Sequence, residues 1–221
     1  LDYNNYKSSH IATKIAMRYH QTFNSIIGQG SKLKVLRVLA QSGEDLNGRE
    51  IARSAGLAQR IVHVSLLALF KSGIVLMRKS GKSNLYRINA ENILVSEALL
   101  PLFKLEKTLL KKVSDKIKNA FPRVISIILF GSVAAGKEGE NSDLDLLVVF
   151  PQNADLEAAE KIFDNLNFDI SKKFGNGISP LALTVNEIKK RYKSKNAFFR
   201  NIVESGRLLY GKTIMELVYG Q

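Results

Sequence analysis

Cysteine and tryptophan are absent from this 221-residue chain, and proline occurs only four times. Without cysteine there is neither a disulfide framework nor a cysteine-ligated zinc finger, so any fold must rest on apolar burial. No apolar run approaches the roughly 20 residues that a membrane-crossing helix needs. The opening LDYNNYKSSH carries no apolar core of the kind found in a secretory leader. The resulting expectation is a cytoplasmic protein with no membrane partner. Acidic residues are scarce in one part of the chain only. Residues 1–90 hold 14 Lys and Arg against 4 Asp and Glu, which is +10 of the total +13, whereas residues 122–221 hold 13 against 12. A polyanion is the natural partner of the N-terminal part.

What is present divides the chain into segments. In residues 1–30, Ile11, Ala12, Ile15, Ala16, Tyr19 and Phe23 recur at helical spacing. They predict a helical extension that packs on the rest of the chain or on a second copy, as in a homodimer. Residues 31–89 read as three short helices and a hairpin. Ser31 is the expected cap of the first helix, and Asn47 with Glu50 forms a capping box at the start of the second. The third runs from Leu57 to Lys71, with Ile61, Val62, Leu66, Leu67 and Phe70 inward. The hairpin turns at Lys79–Ser83 and has a basic tip. This order is that of a winged helix-turn-helix. Arg-Glu-Ile-Ala-x-x-Ala-Gly-Leu at 49–57 resembles the winged-helix domains of bacterial and archaeal transcription regulators. The resemblance implies DNA binding, with the third helix in the major groove. Gln59, Arg60, His63 and Ser65 would then face outward to bases, and Arg78, Lys79, Lys82 and Arg87 would meet phosphate.

Residues 90–120 predict a stiff helical connector, started or kinked by Pro101, with Leu102, Leu105, Leu109, Leu110, Val113 and Ile117 along one stripe. Residues 121–221 alternate strands and helices. After two apolar runs come a helix from Asp155 to Phe174, with Ile162 among its buried residues, and a strand from Ile178 to Val185. A helix capped by Asn186 and a last helix burying Phe198, Phe199, Ile202 and Val203 follow. The expected class is α/β (α+β) with a mixed sheet.

The chemistry concentrates in ISIILFGSVAAGKEGENSDLDLLVVF, residues 125–150. Two β-branched-rich runs flank a glycine turn and a polar loop, and Asp143 and Asp145 open the second run. Residues two apart in a strand point the same way. Two carboxylates on one face repel unless a cation lies between them, and hard oxygen ligands of this kind suit Mg²⁺ (or Mn²⁺) held jointly with substrate phosphates. Gly131 has no Cβ, so a phosphate can approach its backbone. Ser132 adds a hydroxyl and an N–H, and a helix starting near Val133 would turn its free N–H groups toward the same anion.

Gly131-Ser132, followed by Ser142-Asp143-Leu144-Asp145-Leu146, resembles the signature of the DNA polymerase β-like nucleotidyltransferases, in particular the minimal archaeal and bacterial type. The likeness extends more loosely from Phe121 to Lys212. It includes Ser205-Gly206-Arg207-Leu208-Leu209-Tyr210-Gly211, similar to the family's usual ending. The resemblance implies an NTP substrate, transfer of a nucleoside monophosphate to a hydroxyl, and metal-binding, catalytic roles for Asp143 and Asp145. It also implies a third carboxylate on a later strand. Ser179 stands where that acid is expected, and Asp169 lies in the preceding predicted helix. Two other readings therefore stay open. One is a DNA-binding regulator with a nucleotide-sensing or degenerate transferase domain. The other is a toxin–antitoxin component that modifies a partner protein.

Overall fold

The computed structural model describes residues 30–139, 142–194 and 196–220. The helix expected within residues 1–29 lies outside the described residues. The chain divides into two compact units at Leu109/Leu110.

In the N-terminal unit, α1 (Gly30–Ser42), β1 (Leu46–Asn47), α2 (Gly48–Ala55) and α3 (Gln59–Lys71) precede a hairpin of β2 (Val75–Ser80) and β3 (Ser83–Ile88). Strand β1 pairs antiparallel with β3, so the sheet order is β1-β3-β2. Ser31 lies inside α1 and does not cap it. Asn47 does cap α2: its side chain accepts from the N–H groups of Arg49 and Glu50, while the Glu50 carboxylate accepts from the Asn47 N–H. Gly56 ends α2 in the left-handed region, at φ 61°. The hairpin is tighter than expected. Its strands continue to Ser80 and Ser83, leaving Gly81-Lys82 at the tip.

The inward face of α3 also differs from expectation. Val62, Ser65, Leu66 and Leu69 are buried, at the i, i+3, i+4, i+7 spacing of one helix face. Ile61, Leu67 and Phe70 are exposed instead. Ser65 is only 3% exposed and its hydroxyl meets that of Ser31, so it is not an outward reader.

Pro101 sits in the first turn of α4 (Leu100–Ala120), directly after a π-helical turn at Val95–Leu99. There its missing N–H is least costly. Phe103 joins the N-terminal core, but Leu105 points to solvent. Arg37 of α1 makes a two-pronged pair with Glu106, at 2.7 and 2.9 Å, and its guanidinium lies 5.7 Å from the centre of the Phe103 ring.

The C-terminal unit takes the rest of α4, then β4 (Ser126–Phe130), α5 (Gly131–Ala134), β5 (Leu144–Phe150), α6 (Leu156–Phe174) and β6 (Ile178–Thr184). After these come α7 (Val185–Lys193), α8 (Ala197–Ser205), β7 (Arg207–Gly211) and α9 (Ile214–Tyr219). The sheet order is β6-β5-β4-β7, with β5 and β6 parallel and the other pairs antiparallel. One face carries Ile128, Leu147, Val149 and Leu183 and is covered by Ile188, Phe199, Ile202, Ile214 and Leu217. Toward the opposite face, Phe150 packs its ring on Phe121 and Phe163. Ile162 and Phe198 were expected inside and are exposed. The cap of α7 is Thr184, not Asn186. Thr184 and Glu187 form a capping box, and hydrogen bonds from the Thr184 N–H and hydroxyl hold the Glu187 carboxyl below its usual range.

Candidate functional site

Strand β4 ends at Phe130 and the chain turns at once. Gly131 adopts φ +73°, a conformation that L side chains rarely take. Space explains the glycine as well as angle: a Cβ there would lie 2.0 Å from Oδ2 of Asp145. The backbone of the turn and the carboxylate are therefore in direct apposition. The turn closes on itself, with the Ala135 N–H donating to Gly131 O and the Lys137 N–H to Ser132 O. Helix α5 starts at Gly131 rather than near Val133 and is only four residues long. It has no developed dipole, so any anion at this turn would meet local N–H groups and the Ser132 hydroxyl.

Asp145 belongs to β5, opposite Phe130 on β4 and Ser179 on β6. Asp143 lies just before the strand, which starts at Leu144. Its Oδ1 accepts a hydrogen bond of 3.0 Å from the Gly177 N–H. The two carboxyls feel each other. Burial, and then the negative charge of Asp143, raise the Asp145 carboxyl above its usual range. Two adjacent carboxylates, one of them partly desolvated, form a donor set that suits a hard divalent cation. Among the described residues no third carboxylate or imidazole completes a cluster with them. Ser179 is exposed beside Asp145, and Asp169 is exposed on α6.

Three supporting residues escaped the sequence reading. The Asn176 side-chain amide, buried, donates to Ser142 O at 2.6 Å. Asn167 Oδ1 accepts from the Ile178 N–H at 2.8 Å. Gly177 has no room for a Cβ, which would lie 2.6 Å from Asn167 Oδ1. Together they fix the loop before Asp143 against the start of β6. The only sequence signal was Gly175-Asn176-Gly177, which reads equally well as a plain turn.

In the N-terminal unit, Gln59, Arg60 and His63 share a groove of about 680 Å³ with Asn47, Arg49, Lys82 and Tyr86. Arg78 and Lys79 are not part of it, and Arg78 pairs with Asp45. Beyond His63 the outer face of α3 is apolar, through Val64, Leu67 and Phe70. Among the described residues, no helix is long and apolar enough to cross a membrane.

The family match falls on the C-terminal unit. The family model for the nucleotidyltransferase domain matches residues 109–207. A protein of Methanocaldococcus jannaschii named "Putative protein adenylyltransferase MJ0604" is 33% identical over 106 residues, covering 48% of this chain and 98% of that protein. Among solved structures, a toxin–antitoxin crystallised with AMP-PNP is similar at 16% identity and a TM-score of 0.38, over 51% of this chain and 82% of its own. A homodimeric winged helix-turn-helix DNA-binding domain from Mycobacterium bovis is similar at 27% identity and a TM-score of 0.28, over 42% of this chain and 75% of its own. The glycine turn set against a carboxylate pair lies within the matched span, and the archaeal relative is matched over nearly its whole length: this chain belongs to the nucleotidyltransferase family.

Proposed function

We propose that the C-terminal unit transfers a nucleoside monophosphate, AMP in the first instance, from a nucleoside triphosphate to a hydroxyl group on a protein. The observation that carries this reading is the apposition of Gly131 to the Asp145 carboxylate, with Asp143 alongside. Gly131 and Ser132 would hold the triphosphate, and Asp143 and Asp145 would hold Mg²⁺ or Mn²⁺. That cation, when bound, supplies positive charge to the phosphates. In the transfer, the acceptor oxygen bonds to the α-phosphorus and the bridging P–O bond to the β-phosphate breaks. Pyrophosphate leaves with the electron pair, and the hydroxyl proton passes to water. Ser179 stands beside Asp145, and among the described residues no third carboxylate joins the pair to take that proton, which favours a slow enzyme. The name of the Methanocaldococcus jannaschii relative, a "putative protein adenylyltransferase", supports AMP and a protein acceptor. The test is incubation with each α-labelled nucleoside triphosphate and Mg²⁺, against protein, RNA and DNA acceptors. Label from ATP recovered on protein is the expected outcome. Label confined to nucleic acid would overturn the acceptor, and no transfer to any acceptor would favour a nucleotide-sensing domain.

The N-terminal unit is assigned to DNA. Support comes from the 11 Lys and Arg against 3 Asp and Glu in residues 30–90 and from the groove shared by Arg49, Arg60 and Lys82. Phosphate contacts dominate such binding and release counterions, so affinity should fall steeply with salt. Arg60→Ala with Lys82→Ala is expected to weaken duplex binding and flatten the salt dependence by about two counterions. Nucleotide binding should be unaffected. Unchanged DNA affinity in a fluorescence-anisotropy titration would remove the groove from the interface.

A further inference from the structure

We propose that the exposed ring of Phe198 is a stacking platform for the base of the bound nucleoside triphosphate, an inference that rests on the nucleotide site proposed above. Helix α8 buries other residues more deeply than Phe198. Its neighbour Phe199 and Ile202, one turn on, are each 2% exposed and anchor the helix, while Phe198 is 54% exposed. A single exposed apolar residue is ordinary, but the position of this one is specific. Its ring packs at 88° against that of Phe130, with centroids 5.8 Å apart. Phe130 is the residue immediately before Gly131 and the cross-strand partner of Asp145. Residues directly opposite on neighbouring strands project to the same face. The Phe130 side chain therefore shares a face with the Asp145 carboxylate, and Phe198 extends that aromatic wall into solvent beside the glycine turn.

The chemistry selects the occupant. Phosphates at Gly131 and Ser132 would be met by N–H groups, a hydroxyl and a cation, none of which recognises a base. A flat, uncharged ring surface is what a base binds, and stacking of this kind tolerates every base because each has a π-face. A stacked aromatic of this type is worth about 5- to 140-fold in affinity. The platform would hold the nucleoside while leaving base identity to be read elsewhere.

The chain has no tryptophan, so Phe198→Trp introduces a single indole at the proposed contact. With Mg²⁺ present, ATP should quench its fluorescence and inorganic tripolyphosphate should not. In parallel titrations, Phe198→Ala and Phe198→Leu should weaken ATP binding roughly ten-fold and leave tripolyphosphate binding unchanged. Leucine retains apolar bulk without the ring face, so a loss in both variants assigns the effect to stacking. Equal losses for ATP and tripolyphosphate would mark a structural role and overturn the proposal. So would unchanged ATP binding, including the case where only the KM of the acceptor rises. If the unsubstituted protein binds neither ligand, the nucleotide site fails and this inference fails with it. If it binds both and Phe198→Ala changes neither, the inference alone fails.

Discussion

Asp143→Asn combined with Asp145→Asn is expected to abolish divalent-cation-dependent binding of nucleoside triphosphate while the protein stays folded. In metal-free buffer the doubly substituted protein should melt no lower than the original. The Asp145 carboxyl is raised first by burial and second by the charge of Asp143. A folded-state pKa above the unfolded value means that the native state prefers the protonated carboxyl. The ionised form is therefore a liability. It is absent well below the usual carboxylate range and grows as pH rises through the raised folded value. Asparagine has the same shape without the charge, and its amide oxygen can still accept the Gly177 N–H that Asp143 accepts at 3.0 Å. The fold loses a repulsion and keeps its hydrogen bond, while the cation loses both anionic ligands. Mg²⁺ with ATP at about 100 times Kd should stabilise the original protein by roughly 2.7 kcal/mol and the variant not at all. Calorimetric titration together with melting curves, with and without Mg²⁺ and ATP, decides the matter. Undiminished nucleotide binding by the variant would refute the site.

Ser179→Asp is expected to accelerate nucleotidyl transfer. Ser179 is the register partner of Asp145 across the parallel β5–β6 pair. A carboxylate at 179 would stand beside the existing pair and could take the acceptor's proton. Positioned proton transfer is worth about 10²–10⁴-fold, and the lower end is the reasonable expectation for a base not shaped to its task. Pro180 next door does not distort this geometry. It lies on β6, an edge strand where a missing N–H is tolerated, and keeps its register opposite Leu146. Ser179 is exposed, so the added charge stays solvated until substrate binds. Single-turnover rates for the original protein, Ser179→Asp, Ser179→Ala and Asp169→Asn provide the check. Asp169 is exposed on α6, so its substitution should change nothing. A fast original enzyme with no gain from Ser179→Asp would show that the reaction needs no third acid from this chain. Loss of activity in Asp169→Asn would contradict the placement of that residue.

Features that depend on neighbours in the chain were legible from the sequence alone. The Asn47–Glu50 capping box needs only residues three apart. The two β-branched runs, the glycine between them and the Asp143/Asp145 pair are likewise short-range patterns. They were enough to identify the turn and the carboxylates that the structure brings together, and the alternation of runs was enough for the α/β class with a mixed sheet. The charge imbalance that singles out the N-terminal part is a property of composition and needs no fold.

Tertiary structure decided whatever depended on which surfaces meet. The segment IVHVSLLALF in α3 is apolar on almost every side, so periodicity could not choose a face. Packing against the first helix and the wing selected Val62, Ser65, Leu66 and Leu69 and left Ile61, Leu67 and Phe70 outside. The same holds for Phe198, which an apolar pattern places inside and the sheet leaves beside the site. Strand β1 is two residues long and exists only because β3 pairs with it. The support of Asp143 is decided most remotely of all. Gly177 and Asn176 reach Asp143 and Ser142 across 34 positions of sequence. Local pattern carries no information about such a contact, because it follows from the parallel register of β5 and β6, which the return of the chain through α6 makes possible.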